Sequence, residues 1–225
     1  MPAVAQEVSS LDSTVSLALA ENVSDVEKAF VSMPDNYYMT LTQDMRIIML
    51  NRMRNGEDPV VMNKFRGESR IDTLDQKNGW IKIKNSESGY VEIKMLNDQN
   101  GKVSNIFLIA TACGPNCSSH AGVFTLDWRL LPQSVVPSIT VNDFLDMDKM
   151  RQDGTTDRVK AIMGLHLLQL TFEGEDHNVM RAIFNSEKEL DEESMKIVKP
   201  YIVTNSIDYT WNGRAFVRKN KQRRQ

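Results

Sequence analysis

The sequence is poor in the residues that build metal centres and disulfide frameworks, with two cysteines and three histidines among 225 residues. Two cysteines exclude a small protein held together by several disulfides, and three histidines leave little for a metal site. No stretch approaches the roughly 18–20 consecutive apolar residues of a membrane-spanning helix, so we expect no transmembrane segment. A net charge of −3 excludes binding to nucleic acid by general electrostatic attraction.

What the chain does contain is typical of a globular protein: 41% hydrophobic and 25% charged residues. At this length, folding can bury roughly 70% of the surface of the unfolded chain, so a core can form without a metal. The glycine motifs that bind phosphates and dinucleotides are missing from the sequence. We therefore expect no cofactor.

The amino terminus contains a possible export signal. Ala3-Val4-Ala5 matches a signal-peptidase site with the cut before Gln6, but only Met1-Pro2 precede it, where a basic and then an apolar region are needed. Either the signal peptide has been truncated or removed, or the match is accidental. We expect residues 1–22 to be a flexible leader or signal remnant, and the first interpretation predicts a periplasmic or secreted protein.

Two helices are predicted directly after the leader. Ser24-x-x-Glu27 has the spacing of a capping box, and apolar residues at helical spacing follow until Pro34 ends the helix. A second helix is predicted over residues 42–53, ended by Asn55-Gly56. Its buried stripe is predicted to consist of Met45, Ile48, Met49 and Met53.

From residue 60 the apolar pattern changes to period two, which predicts strands separated by glycine- and asparagine-rich turns. The predicted strands cover residues 60–62, 70–74, 80–84, 90–95, 103–112 and 123–128. Helices followed by serial short strands favour an α+β fold, with the helices packed on one face of an antiparallel sheet. Charged residues occupy alternate strand positions, so we expect one sheet face to be solvated: Lys82, Lys84, Glu92 and Lys94.

A second half, residues 138–217, follows a boundary at residues 132–137. Its predicted helices cover residues 142–150, 156–163 and 191–199, and its predicted strands cover 165–172, 179–184, 207–211 and 214–217. Asn212-Gly213 is the preferred centre of a type I′ hairpin turn. Residues 23–131 and 138–217 thus form two degenerate halves, each with helices followed by antiparallel strands, and residues 218–225 form a basic tail.

The most distinctive cluster is Cys113-Gly114-Pro115-Asn116-Cys117. One interpretation is a local disulfide across a turn, which would stabilise the fold by only about 2 kcal/mol because the closed ring is small. A second is thiol-redox chemistry, although no helix is predicted to follow the first cysteine. A third is a metal site completed by His120, although structural zinc needs four ligands.

Other chemistry-bearing residues have simpler interpretations. A triad of Ser118 or Ser119 with His120 and Asp127 lacks the motif of a strained nucleophile turn. His166 is expected either to face the surface or to be hydrogen-bonded within the fold, and His177 is expected to be solvated beside an acidic turn. The acidic run 187–193 is expected to start an exposed helix. The basic tail is expected to be a solvated, disordered terminus, and the alternative is contact with anionic lipid, polysaccharide or nucleic acid. An exposed pair among the strand aromatics would mark a docking surface: Trp80, Tyr90, Trp128, Tyr209 and Trp211.

Three segments occur together in a recognisable order. They are Phe30-x-x-Met33-Pro34-Asp35, Cys113-x-x-x-Cys117-Ser118-x-His120 with Trp128 downstream, and Tyr209-x-Trp211-Asn212-Gly213-x-x-Phe216-Val217. As a set they resemble a Bacteroidales family of exported proteins of unknown function, from about residue 26 to 217. The resemblance implies an extracytoplasmic α+β protein without an assigned activity, so it transfers no catalytic residues. A likeness to tandem helix-plus-sheet inhibitor folds rests on analogy alone.

Two functional hypotheses follow. The first is a non-catalytic extracytoplasmic module, binding or inhibitor-like, for a protein, peptide or glycan of the cell envelope. It has no nucleic-acid partner, and no catalytic, cofactor-binding or metal-ligating residue is assigned to it. The alternative is a thiol-redox or metal-dependent protein that uses the Cys113–Cys117–His120 loop. Ser118, His120 and Trp128 are the candidate functional residues around that loop, and Cys113 and Cys117 are the candidate disulfide.

Overall fold

The computed structural model describes residues 23–114, 116–132, 135–163, 168–174, 176–184 and 190–219. The predicted leader, His166, Glu187, Glu189 and the end of the basic tail lie outside these residues. Within them the α+β class is confirmed, with two antiparallel sheets and five α-helices. The helices are α1 (Asp25–Ser32), α2 (Gln43–Arg54), α3 (Met147–Gln152), α4 (Thr156–Met163) and α5 (Glu192–Val198).

Sheet 1 is a six-stranded meander in which each strand pairs with the next. Its strands are β1 (Val60–Met62), β2 (Glu68–Asp75), β3 (Trp80–Ser86), β4 (Gly89–Asn97), β5 (Val103–Cys113) and β6 (Cys117–Thr125).

The predicted last strand, 123–128, is wrong at both ends. Strand β6 begins at Cys117, because the whole of it pairs with β5, and it ends before Trp128, whose φ of 61° is incompatible with an extended strand.

Sheet 2 has the strand order β10-β9-β8-β7. Its strands are β7 (Leu168–Thr171), β8 (Val179–Phe184), β9 (Ser206–Trp211) and β10 (Phe216–Arg218). The predicted two-residue turn at Asn212-Gly213 is wrong, because Trp211 pairs with Phe216 and the connection spans four residues. The Asn212 side-chain oxygen accepts the amides of Arg214 and Ala215, both at 3.0 Å, which stabilises the longer loop.

The predicted helix over residues 142–150 is divided in the structure. A 3₁₀ turn covers Val141–Phe144, and α3 begins only after Asp146. The Asp146 carboxylate accepts the amide of Lys149 at 2.9 Å, so it caps α3 and fixes a new start.

The buried stripe of α2 also differs from the prediction. Ile48 is exposed, whereas Arg46 is 1% exposed. Burial of the guanidinium is possible because Arg46 donates to the backbone oxygen of Met33 at 2.6 Å and to the Asp35 carboxylate at 3.0 Å. Hydrogen bonds of this kind offset the cost of removing a charge from water.

The middle strands of sheet 1 are covered on both faces, so the prediction of a solvated face is wrong for Glu92 and Lys94. Lys82 and Lys84 are partly buried, and β2 keeps an exposed face at Glu68, Arg70 and Asp72. Helices α1 and α2 pack on the face that bears Ile81, Ile83, Val91 and Ile93. The opposite face, with Trp80, Phe107 and Ile109, belongs to a second core shared with sheet 2 and α3–α5. Glu92, which lies on this face, is therefore fully buried, and Lys94 is 5% exposed.

Candidate functional site

The junction between sheet 1 and the second half is held by a buried carboxylate. Glu92 Oε2 accepts hydrogen bonds from Trp80 Nε1 at 2.9 Å and from the Phe172 amide at 2.8 Å. Its Oε1 accepts from Thr171 Oγ1 at 2.7 Å. Burial raises the pKa of Glu92, and these three donors only partly oppose that effect. The carboxylate thus satisfies the amide of Phe172, the residue that directly follows β7.

A second polar contact between the halves joins Asp75 to His177. The Asp75 carboxylate lies 2.6 Å from His177 Nδ1, and the imidazole packs on the Trp80 ring with 4.1 Å between ring centroids. Burial would raise the pKa of Asp75, but hydrogen bonds from Asn78 and His177 outweigh it and lower the pKa to about 2. The expectation that His177 is solvated is therefore wrong, because a carboxylate and an indole from the first half enclose it.

Lys94 lies beside this pair. Its ammonium group donates to the backbone oxygen of Asn78 and, at 2.8 Å, to Oδ1 of Asn178. Burial lowers its pKa to about 8, although the negative charges of Asp75 and Asp176 oppose the shift. Asn178 also donates to Asn78 Oδ1 at 3.1 Å, so the three side chains form one fixed polar group across the junction.

An open cleft of about 820 Å³ begins at Lys94, a volume within the range of small-molecule sites. It lies between the β2–β3 and β4–β5 turns of sheet 1 and the β9–β10 loop of sheet 2. The lining is rich in side-chain amides around one indole: Gln76, Asn78, Asn97, Gln99, Asn178, Asn212 and Trp211.

Trp211 has a fixed position at the wall of this cleft. Its Nε1 donates to the backbone oxygen of Asn97 at 2.6 Å, and its ring meets that of Phe216 edge-on at 5.2 Å. Gly213 allows the adjacent loop to approach sheet 1, since a Cβ there would lie 2.8 Å from the amide nitrogen of Gln99 and its φ is +92°. The β9–β10 loop of the second half is therefore held against the β4–β5 turn of the first half.

The predicted cysteine pair occupies the opposite end of the β5–β6 hairpin from Trp128. Cys113 and Cys117 form a disulfide and face each other across the end of the ladder. Ser118 and His120 follow on β6, with His120 exposed. Trp128 lies beyond the other end of that strand, 4% exposed in the core beneath α1. The structure therefore does not bring Trp128 together with the other predicted residues.

The geometry around this loop does not support a metal site or a serine triad among the described residues. Both sulfur atoms are in the disulfide, so neither is a thiolate ligand. Ser119 Oγ accepts the amide of Leu170 at 2.9 Å and bonds Thr111 Oγ1 at 2.7 Å, while Asp127 lies past the far end of β6 from His120. In the described part of the chain, no group of three or more histidine, cysteine, aspartate or glutamate residues is placed to hold a metal.

The sequence does not reveal the residues of the junction. Its only signal for them is the row of charges at alternate positions of β3 and β4, a pattern that predicts solvent-facing side chains.

Over the described ranges, no helix has both the length and the apolar character needed to cross a membrane.

Comparison with known proteins gives a family and a fold. Residues 18–216 match the family described as "Protein of unknown function (DUF3256)". A domain of an uncharacterized protein from Porphyromonas gingivalis superposes with a TM-score of 0.74. It is 18% identical, and the match covers 89% of this chain and 100% of that one, so the two share a fold. No curated protein matches significantly.

Proposed function

The chain belongs to this family of unknown function, and since the family has no known activity, membership assigns none to the chain. From the geometry, we propose that the protein is a non-catalytic, extracytoplasmic binding protein. The ligand is a protein, peptide or glycan of the cell envelope, and the cleft beside Lys94 is its site.

The observation that carries the proposal is the way in which the cleft is built. Both halves of the chain contribute to it, and hydrogen bonds hold Lys94, Asn178 and Trp211 in place without any ligand. Groups that are already ordered lose little conformational entropy on binding, which favours affinity. A cleft of about 820 Å³ with several fixed polar groups suits recognition.

The composition of the lining favours binding over covalent chemistry. Its described residues include lysines and amides but no serine, threonine, cysteine or histidine. Of the two carboxylates, that of Asp98 already accepts the amides of Asn100 and Lys102, both at 2.9 Å. A nucleophile beside a general base, the usual arrangement for covalent catalysis, is not formed by these residues.

The disulfide supports the location. Cys113 and Cys117 lie near the surface, and disulfides persist in oxidising compartments such as the periplasm or the cell exterior. Fractionation of cells that express the full-length protein, with alkylation of free thiols before lysis, tests this point. We expect an extracytoplasmic, fully oxidised protein; a cytoplasmic pool with two free thiols would contradict it.

Binding is tested by NMR of the ¹⁵N-labelled chain. The protein is mixed in turn with polysaccharide, peptide and protein fractions of a bacterial envelope. We expect one fraction to shift the backbone amides of residues 97–101 and 211–213 and to be recovered chemically unchanged. Shifts confined to residues 113–120, or conversion of the fraction to a product, would contradict the proposal.

A further inference from the structure

We propose that the cleft binds an uncharged glycan, with Trp211 as the stacking platform and the surrounding amides as hydroxyl ligands. This inference rests on the proposed function, since it names the ligand class of the same cleft. Four features of the described residues support it.

The first feature is the indole. The Trp211 N–H already donates to the Asn97 backbone oxygen at 2.6 Å, so the ring has no unmet polar group to offer a ligand. Phe216 fixes the ring from the other direction. Trp211 is half-buried and lines the cleft, and we infer that it offers a ligand its ring face, whose negative potential attracts weakly positive C–H groups. Sugar rings present such C–H groups on one face.

The second feature is the number of amides. Each side-chain amide contains an acceptor and a donor group, and each sugar hydroxyl likewise donates and accepts. Asn97 and Gln99 are exposed, and within the described residues neither side chain makes a hydrogen bond. Asn212 uses its oxygen for the amides of Arg214 and Ala215, which fixes its side chain and leaves the NH₂ group for a ligand.

The third feature is the balance of charge. The lining contains two lysines and two aspartates, Lys77 and Lys94 against Asp25 and Asp98. Lys94 and Asp98 are already hydrogen-bonded within the protein. An anionic or cationic ligand therefore gains little net attraction and meets two groups of its own sign, whereas an uncharged ligand meets no such cost.

The fourth feature disfavours a peptide. Extended peptides often bind by adding a strand to a free sheet edge. The strands that border the cleft are internal, because β4 pairs with β3 and β5, and β9 pairs with β8 and β10. Among the described lining residues there is also no arginine to bind a phosphorylated or acidic motif.

The test uses the ¹⁵N-labelled full-length protein and defined probes. These are uncharged tetrasaccharides of the gluco, manno and chito series, a tetramer of galacturonic acid, and a tetrapeptide of glycine, alanine and serine. We expect at least one uncharged tetrasaccharide to shift the amides of residues 97–101 and 211–213 in a saturable manner.

Variants then identify the contacts. Trp211→Ala is expected to weaken the affinity about tenfold through loss of stacking, while Trp211→Phe retains a ring and loses about threefold or less. Asn97→Ala and Gln99→Ala are each expected to lose about three- to tenfold. Neither side chain makes a hydrogen bond to another residue that the structure describes, so their loss should not affect folding. Phe65→Ala is the matched control, an aromatic that is 71% exposed outside the cleft, and should bind normally.

The outcomes separate the two proposals. Shifts in the cleft with the tetrapeptide or the acidic tetramer, but not with the uncharged sugars, would overturn the glycan assignment and leave a binding cleft. Absence of cleft shifts across the whole panel would also overturn it, and the envelope fractions would then decide the proposed function separately. Sugar binding that Trp211→Ala and Asn97→Ala leave unchanged would show a different site.

Discussion

Thr171 on β7 donates a hydrogen bond of 2.7 Å to the fully buried carboxylate of Glu92 on β4, 79 residues earlier in the chain. The contact joins the two sheets. The same carboxylate also accepts the indole N–H of Trp80 and the amide of Phe172, so its removal leaves donors from both halves without an acceptor. This one group therefore satisfies donors from both sides of the junction at once.

Replacing Glu92 tests that dependence. Glu92→Ala should lower the free energy of unfolding by about 3 kcal/mol, because buried donors lose their acceptor. Glu92→Gln keeps an acceptor oxygen and should cost about 1 kcal/mol or less at neutral pH. Urea denaturation measures both variants, and equal losses for Ala and Gln would contradict a specific role of the hydrogen bonds.

The pH dependence of the Glu92→Gln variant gives a second result. Burial raises the folded-state pKa of Glu92 above its unfolded value of about 4.3, so the folded state binds the proton more tightly. The wild type therefore loses stability from this group as pH rises from about 4.3 through the raised pKa. The stability of the Gln variant relative to the wild type should increase over that interval, and parallel pH curves would contradict the shift.

Asp75 is expected to behave in the opposite way. Its pKa is lowered to about 2, so its contribution is complete above the unfolded value of about 3.9 and is lost as pH falls towards 2. Asp75→Asn should cost about 1–2 kcal/mol at pH 7, and less as the pH falls from 4, in urea denaturation. The control Asp58→Asn removes an exposed partner of Arg70 and should cost about 0.5 kcal/mol or less. Equal costs for the two variants would argue against the junction pair.

Lys94 is expected to limit stability around neutral pH. Because burial lowers its folded-state pKa to about 8, against about 10.4 unfolded, the folded state binds the proton less tightly. Stability from this group should rise by about 2–3 kcal/mol as pH increases from 8 to 10.4. The difference between wild type and Lys94→Met, measured by urea denaturation, isolates this change, and a difference that is constant with pH would contradict it.

The disulfide is expected to stabilise the hairpin rather than catalyse exchange. Replacing both Cys113 and Cys117 by serine should lower the free energy of unfolding by about 2 kcal/mol, since the closed ring is short. Ligand binding in the cleft should stay unchanged, because the disulfide lies at the hairpin end and outside the cleft lining. Reductase activity of the wild type that this variant loses would support the thiol-redox alternative.

The sequence by itself determined the features that depend on neighbours in the chain. Ser24 and Glu27 start α1 through hydrogen bonds within one turn, with Ser24 donating to the Glu27 carboxylate, and α1 ends at Ser32, before Pro34. Alternation and turn residues correctly located the cores of β2–β5, and of the interpretations of the cysteine pair, the local disulfide agrees with the structure. Each of these features depends on interactions between residues that are close in the chain, so a local sequence pattern predicts it.

Only the tertiary structure decided which surfaces are buried. Glu92 and Lys94 alternate with apolar residues as solvent-facing positions would, yet the second half of the chain covers them. His177 has an acidic local sequence but pairs with Asp75, 102 residues earlier. Arg46 is buried because backbone oxygens of another helix happen to accept its protons. The physical reason is common to all three: burial of a charge is decided by partners distant in the chain, and no local period encodes them.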